Sequence, residues 1–226
     1  MFKDFESRDA ASAAAAEKIV ANLERRLASQ RRASIVVSGG TTPLACFAEL
    51  AKADLEWARV NLLLSDERWV PANDEASNER LLRDELLVGP AAAAHFVPMY
   101  VEGKTIEERV AELDDEGVRL LPFACALVGM GTDGHFASLF PDIENLELGL
   151  DVESRQFSIP VSTAASPHER LSLTLAALSR SDEIVLLIFG EEKRRVLERA
   201  RSAPDVLPVS AMLWQKRAPV RVYWAP

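Results

Sequence analysis

Residues 34–53 read SIVVSGGTTPLACFAELAKA. Ser34–Val37 is a short run suited to a strand, and it enters the turn Ser38-Gly39-Gly40-Thr41-Thr42. From Pro43 to Ala53 the pattern is helical, and proline is well placed in a first helical turn. Strand, glycine turn and helix open an α/β unit. The unit recurs. Val60–Leu64 ends at Ser65-Asp66-Glu67-Arg68 and leads, after a loop with Pro71, Asn73 and Asp74, to a helix over Ser77–Leu87. Ala124–Val128 ends at Gly129-Met130-Gly131-Thr132-Asp133-Gly134-His135. Glu183–Phe189 ends at Gly190 and leads to a helix over Glu191–Arg201. Ala10–Ala28 and Thr105–Leu121 read as further helices, Gln156–Val161 and Leu171–Leu175 as extended segments, and Val220–Trp224 as the last strand. The pattern predicts an α/β fold: a mainly parallel sheet flanked by helices on both faces. Ligands of such folds bind beyond the carboxyl ends of the strands, where the glycine and polar clusters fall. No linker, low-complexity tract or repeat divides the chain, so residues 1–226 read as a single domain.

The chain carries 26 basic and 35 acidic side chains, a formal charge of −9, with 48% hydrophobic residues. That balance excludes wholesale disorder. It argues against nucleic acid, which needs a basic face, but leaves room for a small phosphorylated ligand held by a local cationic cluster. The longest apolar runs fall well short of the about 20 residues of a membrane helix, and MFKDFESRDA lacks the apolar stretch of a signal peptide. No membrane partner is expected, and the expected compartment is the cytoplasm. Cys46 and Cys125 form no metal-spacing pattern and read as buried, reduced thiols. The histidines are scattered, with no HxH, HExxH or CxxC arrangement, so no metal is expected.

Four segments can carry chemistry. In Ser38–Pro43 the glycines let the backbone approach a ligand and the helix start favours an anion; the same residues also suit a tight turn with a threonine cap. In Ser65–Pro71 and Ser77–Arg80, Asp66 and Glu67 beside Arg68 can handle protons or sugar hydroxyls, and Asn78 and Arg80 can point back to the same cleft; a solvated acid–base pair is the plainer reading. In the third segment, Asp133 and His135 are separated by the flexible Gly134, so both can face one cleft. Histidine is the natural proton carrier near neutrality, and Asp133 can orient the imidazole. No Ser, Cys or Lys accompanies His135 in a nucleophile motif, which favours water as nucleophile. Fourth, Arg170 and Lys193 can meet a phosphate dianion, or else are solvated charge.

Together, SGGTTP, SDERWVP with the later SN, GMGTDGHFASLFPD, the PxxRLSLTLxAL pattern and GEEK resemble the 6-phosphogluconolactonase family over about residues 35–200. The wider superfamily includes glucosamine-6-phosphate isomerase/deaminase, with a related αβα fold. The resemblance implies hydrolysis of 6-phospho-D-glucono-1,5-lactone to 6-phosphogluconate, a step of the oxidative pentose phosphate pathway, without a cofactor. It implies His135 as general base, Asp133 as the acid beside it, and Gly39-Gly40-Thr41 as a ligand-binding loop. It places Arg170 and Lys193 near the substrate phosphate, with Arg80 a further candidate. Asp66 matches the proton-transferring Asp of the deaminases, and Arg68 and Asn78 complete the expected substrate-binding set. Five residues after the His, where the deaminases keep a catalytic Glu, this chain has Phe140, which favours the lactonase over an isomerase or deaminase. Phe136 stands where many lactonases have Thr, a change expected to alter packing. A non-catalytic sugar-phosphate sensor is the other alternative. The oligomeric state stays open between a monomer and a small homo-oligomer.

Overall fold

The computed structural model describes residues 1–226. In chain order its first elements are β1 (Phe2–Asp4), α1 (Arg8–Leu27), β2 (Ala33–Val37), α2 (Leu44–Leu50), β3 (Val60–Leu64), β4 (Asp66–Arg68), α3 (Asn78–Glu85) and β5 (His95–Phe96). Then come α4 (Ile106–Gly117), β6 (Cys125–Val128), α5 (Leu146–Leu150), β7 (Ser158–Val161), β8 (Arg170–Leu173) and α6 (Leu175–Leu178). The chain closes with β9 (Ile184–Phe189), α7 (Glu191–Ala200), α8 (Pro208–Trp214) and β10 (Val220–Ala225).

Seven strands form one sheet in the order β1-β10-β9-β6-β2-β3-β5, and every neighbouring pair is parallel. β2, β3 and β6 are buried along their whole length. Their near-continuous apolar sequences are what a sheet covered on both faces requires. With right-handed crossovers, the steps β1 to β2, β2 to β3 and β3 to β5 run one way across the sheet and put α1, α2 and α3 on one face. The steps β5 to β6, β6 to β9 and β9 to β10 run the other way and put α4–α8 on the opposite face. The packing agrees: α2 touches both α1 and α3, while α8 touches both α5 and α7. The direction of winding reverses between β2 and β6, which are neighbours. The loops leaving their carboxyl ends therefore diverge and open a crevice.

A second sheet, β4-β8-β7, is antiparallel. Its β4 is the charged Asp66-Glu67-Arg68, which the sequence presents as a turn after β3. Several expected elements end early. Helix α4 ends at Gly117 and tightens into a 3₁₀ turn over Val118–Leu120, and Leu121, the residue before Pro122, is extended. The segment Leu171–Leu175 leaves the extended state at Thr174, whose hydroxyl accepts from the Ala177 N–H at 3.1 Å and caps α6. Cys46 and Cys125 are both free and buried. Burial pushes the Cys125 thiol up to about 12, with the Glu183 charge adding to it, and pushes Cys46 upward as well. No helix is long and apolar enough to cross a membrane.

Candidate active site

The loop leaving β6 builds the centre of the crevice. The Gly131 N–H donates to the His135 carbonyl at 2.9 Å and the Gly134 N–H to the Gly131 carbonyl at 3.1 Å, closing a tight turn. Gly134 has φ +82°, which glycine adopts without penalty. A Cβ on Gly131 would lie 2.3 Å from the His135 ring, so only glycine lets the imidazole fold back there. Asp133 Oδ1 accepts from the His135 backbone N–H at 3.1 Å and lies 2.6 Å from Nδ1 of the ring. A carboxylate at Nδ1 holds the proton on that nitrogen and leaves Nε2 as the basic one. No helix starts at His135, so it caps nothing; the next helix, α5, begins at Leu146. The ring of Phe140 packs on the imidazole, centroids 4.1 Å apart. Ala137 sits at φ +48°, a left-handed position uncommon for a residue with a Cβ.

The loop after β2 forms the facing wall. A Cβ on Gly39 would lie 2.2 Å from Oδ1 of Asn78, so this glycine admits the Asn78 side chain. Asn78 in turn donates from Nδ2 to the Asp66 carbonyl at 2.9 Å. The backbone N–H groups of Gly39, Gly40, Phe136 and Ala137 donate to no other group of the chain. They are the free donors available to an anion or oxyanion.

The two carboxylates of β4 do different work. Asp66 is buried and accepts from Ser65 Oγ at 2.8 Å and from Ser138 Oγ at 2.6 Å. Glu67 turns to the other side and caps α3. It accepts from the N–H groups of Arg68, Asn78 and Glu79 at 2.8, 2.7 and 2.6 Å and from Ser77 Oγ at 3.1 Å. Burial pushes the Glu67 carboxyl above its usual range, and these four donors pull it part of the way back. The start of α3 is thus already filled by a carboxylate of the chain itself.

Cations line the third side. Arg68 and Arg170 are directly opposite each other in the β4–β8 register. Arg170 Nη1 lies 3.3 Å from Ser138 Oγ and 3.6 Å from Asp66 Oδ2, and its guanidinium lies over the Phe140 ring at 5.3 Å. Arg68 is tied through Nη1 to the Ala76 carbonyl at 2.6 Å. Nε of both arginines is buried without a partner. Burial lowers the Arg170 pKa and the Arg68 charge adds to this, while the Asp66 and Glu67 carboxylates oppose it. Lys193, from the first turn of α7, is half-buried, and burial and the Arg8 charge lower its pKa, with Glu192 opposing.

These walls enclose a cleft of about 280 Å³. It brings together Gly39, Gly40, Asp66, Arg68, Asn78, His135, Arg170 and Lys193. Asp133 does not line it but holds His135. Thr42 lines it in place of Thr41. Arg80 points elsewhere, with Nη1 on the Asn73 carbonyl at 3.2 Å and Nε 3.9 Å from Asp84. Ser38, Ser65 and Ser138, absent from the sequence-based set, link the β2, β3 and β6 loops: Ser38 Oγ and Ser65 Oγ are 2.9 Å apart. Their small buried hydroxyls carry no sequence signal of their own. A larger depression of about 690 Å³ between Met1, Arg201 and Trp214 holds none of these groups. No cluster of three or more His, Cys, Asp or Glu side chains is arranged to hold a metal ion.

Residues 6–224 match the family described as glucosamine-6-phosphate isomerases/6-phosphogluconolactonase. The chain belongs to this family. It is 42% identical to the 6-phosphogluconolactonase of Caulobacter vibrioides over 223 residues, covering 98% of this chain and 95% of the relative. It is 38% identical to that of Rhizobium meliloti over 225 residues, covering 98% and 97%. Among solved members of the family, a 6-phosphogluconolactonase from Shewanella baltica superposes with a TM-score of 0.95 at 35% identity, over 100% of this chain and 97% of that one. A monomeric glucosamine-6-phosphate deaminase shares the fold, with a TM-score of 0.79 at 15% identity over 98% and 96% of the two chains.

Proposed function

We propose that this chain hydrolyses 6-phospho-D-glucono-1,5-lactone to 6-phosphogluconate, with His135 as general base. The observation that carries this is the 2.6 Å contact between His135 Nδ1 and Asp133 in a cleft that also holds Arg68, Arg170 and Lys193. The relatives named 6-phosphogluconolactonase, matched over nearly their full length, support the substrate. Nε2 of His135 takes a proton from water as the oxygen attacks the lactone carbonyl carbon. Asp133 holds the ring and stabilises the imidazolium that results. The free N–H groups of the Gly39-Gly40 turn or of Phe136-Ala137 receive the developing oxyanion. As the tetrahedral intermediate collapses, the carbon–ring oxygen bond breaks and the imidazolium returns its proton to that oxygen. Arg68, Arg170 and Lys193 hold the phosphate; binding energy far from the reacting carbon then positions the ring. Arg68 replaces Arg80 in this role, because Arg80 faces away from the cleft. No step needs a cofactor.

One hydrophobic core of 59 buried residues includes both sheets and supports treating residues 1–226 as one domain. The two buried, unbridged thiols support a reducing compartment.

Proton release at constant pH after adding the fresh lactone, corrected for spontaneous hydrolysis, tests the activity. Wild type accelerates it and His135→Ala does not. Equal acceleration by both would move the base to another group, Asp66 first. No acceleration by folded wild type would end the lactonase reading.

A further inference from the structure

Ala137 is the one residue other than glycine with a left-handed backbone, at φ +48°. Such a conformation persists only where the surroundings over-determine it. Here the next residue does so. Ser138 is fully buried and held at three points. Its N–H donates to Ser172 Oγ at 3.1 Å, its hydroxyl donates to Asp66 Oδ2 at 2.6 Å, and Arg170 Nη1 donates to its Oγ at 3.3 Å. Asp66 and Ser172 are opposite each other in the β4–β8 register, so both acceptors belong to the small sheet. Asp66 is itself fixed, because Ser65 gives its one hydroxyl proton to Oδ1 at 2.8 Å while Ser138 takes Oδ2. The Ser138 hydroxyl thus has its proton on Asp66 and a lone pair on Arg170, and Ser138 does not line the cleft. It is occupied in holding the chain and is no nucleophile.

The backbone just before this clamp is what it positions. Phe136 and Ala137 line the cleft one and two residues after His135, and their N–H groups have no partner in the chain. A base and the oxyanion donors must reach the same carbonyl carbon. Donors contiguous with His135 meet that need, whereas the Gly39-Gly40 turn stands on the facing wall. We propose that Ser138 is a positioning residue: it locks Ala137 in the left-handed conformation and so sets the N–H groups of Phe136 and Ala137 as the oxyanion donors, an inference that rests on the lactonase reading. The clamp acts on the chemical step, because the developing oxyanion meets these donors and the ground-state phosphate does not. The Arg170 contact offers the opposite route, through the phosphate, and kinetics separates the two.

The experiment is steady-state kinetics on 6-phosphogluconolactone, with inhibition by the product 6-phosphogluconate as the measure of ground-state binding. Ser138→Ala should lower kcat about 10²-fold, the usual loss for a misplaced oxyanion donor. KM, product inhibition and the midpoint of the pH profile should change little. Ala137→Val keeps the clamp but puts a β-branched residue where φ is positive, and it should reproduce the loss. Adding Ala137→Gly to Ser138→Ala should recover about tenfold in kcat, because glycine holds a positive φ without the penalty of a Cβ. Glycine adds no contact, so a serine that merely supports the fold would show no recovery. Where Ser138→Ala is not native by circular dichroism, Ala137→Val decides. A raised KM and weaker product inhibition with kcat held would overturn the inference by assigning Ser138 to Arg170 and the phosphate. Unchanged kcat in Ser138→Ala or Ala137→Val, beside a wild type that hydrolyses the lactone, would overturn it and leave the lactonase reading standing.

Discussion

The ring of Phe140 packs on the imidazole of His135, with centroids 4.1 Å apart and planes inclined by 33°. The same ring lies under the Arg170 guanidinium at 5.3 Å. One buried aromatic side chain thus touches both the proposed base and a proposed phosphate anchor. Phe140→Leu keeps the volume roughly but loses the flat face. It should lower kcat about tenfold with a smaller change in KM, and Phe140→Tyr should restore most of the loss. Steady-state kinetics on the three proteins checks this; a leucine variant with unchanged kcat would reduce Phe140 to filling.

His135→Gln should lose about 10²–10⁴ in kcat, the usual worth of a general base. Asp133→Asn should also fall strongly, since an amide no longer selects the Nδ1–H tautomer or stabilises the imidazolium. The two losses should not add in the double variant, because both residues act through one ring. Additive losses would show that Asp133 works apart from His135.

Gly131→Ala tests the close fold of the loop. Its Cβ would fall 2.3 Å from the imidazole, so the ring must move off Asp133. Activity should drop at least about 10²-fold for a displacement of about 1 Å. Circular dichroism should stay native. Full activity would mean that the ring position is not used.

Arg170→Gln and Arg68→Gln should raise KM for the phosphorylated lactone by about one to two orders of magnitude, the worth of a charge-assisted contact. Neither should much affect unphosphorylated gluconolactone. Arg80→Gln should leave both substrates unaffected. Equal losses on the two lactones would remove these arginines from the phosphate.

Asp182 governs part of the acid limb of stability. Burial pushes its carboxyl up, but Arg26, paired through Nε at 2.7 Å and Nη2 at 2.5 Å, and Arg25 more than offset this, and the net shift is downward. A lowered folded pKa gives stability that is present above the unfolded value and lost as pH falls through the folded one. Asp182→Asn should therefore cost about 1 kcal/mol at pH 7 and less at pH 3, as the contribution starts to fall below the unfolded value. Urea unfolding at the two pH values decides it, and an equal cost at both would assign the loss to packing.

The parallel sheet was legible because β2, β3, β6 and β9 are apolar on both faces and each ends in a glycine or polar turn. The small sheet was not. β4 is three charged residues held by pairing to β8, a contact about 100 residues away in sequence that no local pattern reports. His135 and Asp133 were legible for the opposite reason: their contact spans two residues. Arg80 misled because its position at a helix start allows either direction, and it is the Glu67 cap that orients α3. Arg68 gained its place opposite Arg170 only from strand register, and Thr41, exposed one step earlier in the turn, leaves the cleft wall to Thr42.

The pairing of β1 with β10 has a consequence for biosynthesis. Residues 2–4 are made some 220 residues before residues 222–224, their only strand partner. Until the last strand emerges, β9 also lacks its outer neighbour, and the edge it presents, Ile184–Phe189, is among the most apolar of the molecule. The nascent chain must therefore carry an unpaired hydrophobic edge until residues 220–225 have been made, a period in which sticking to other chains competes with folding. A stop codon even a few residues before 220 would make that temporary state permanent.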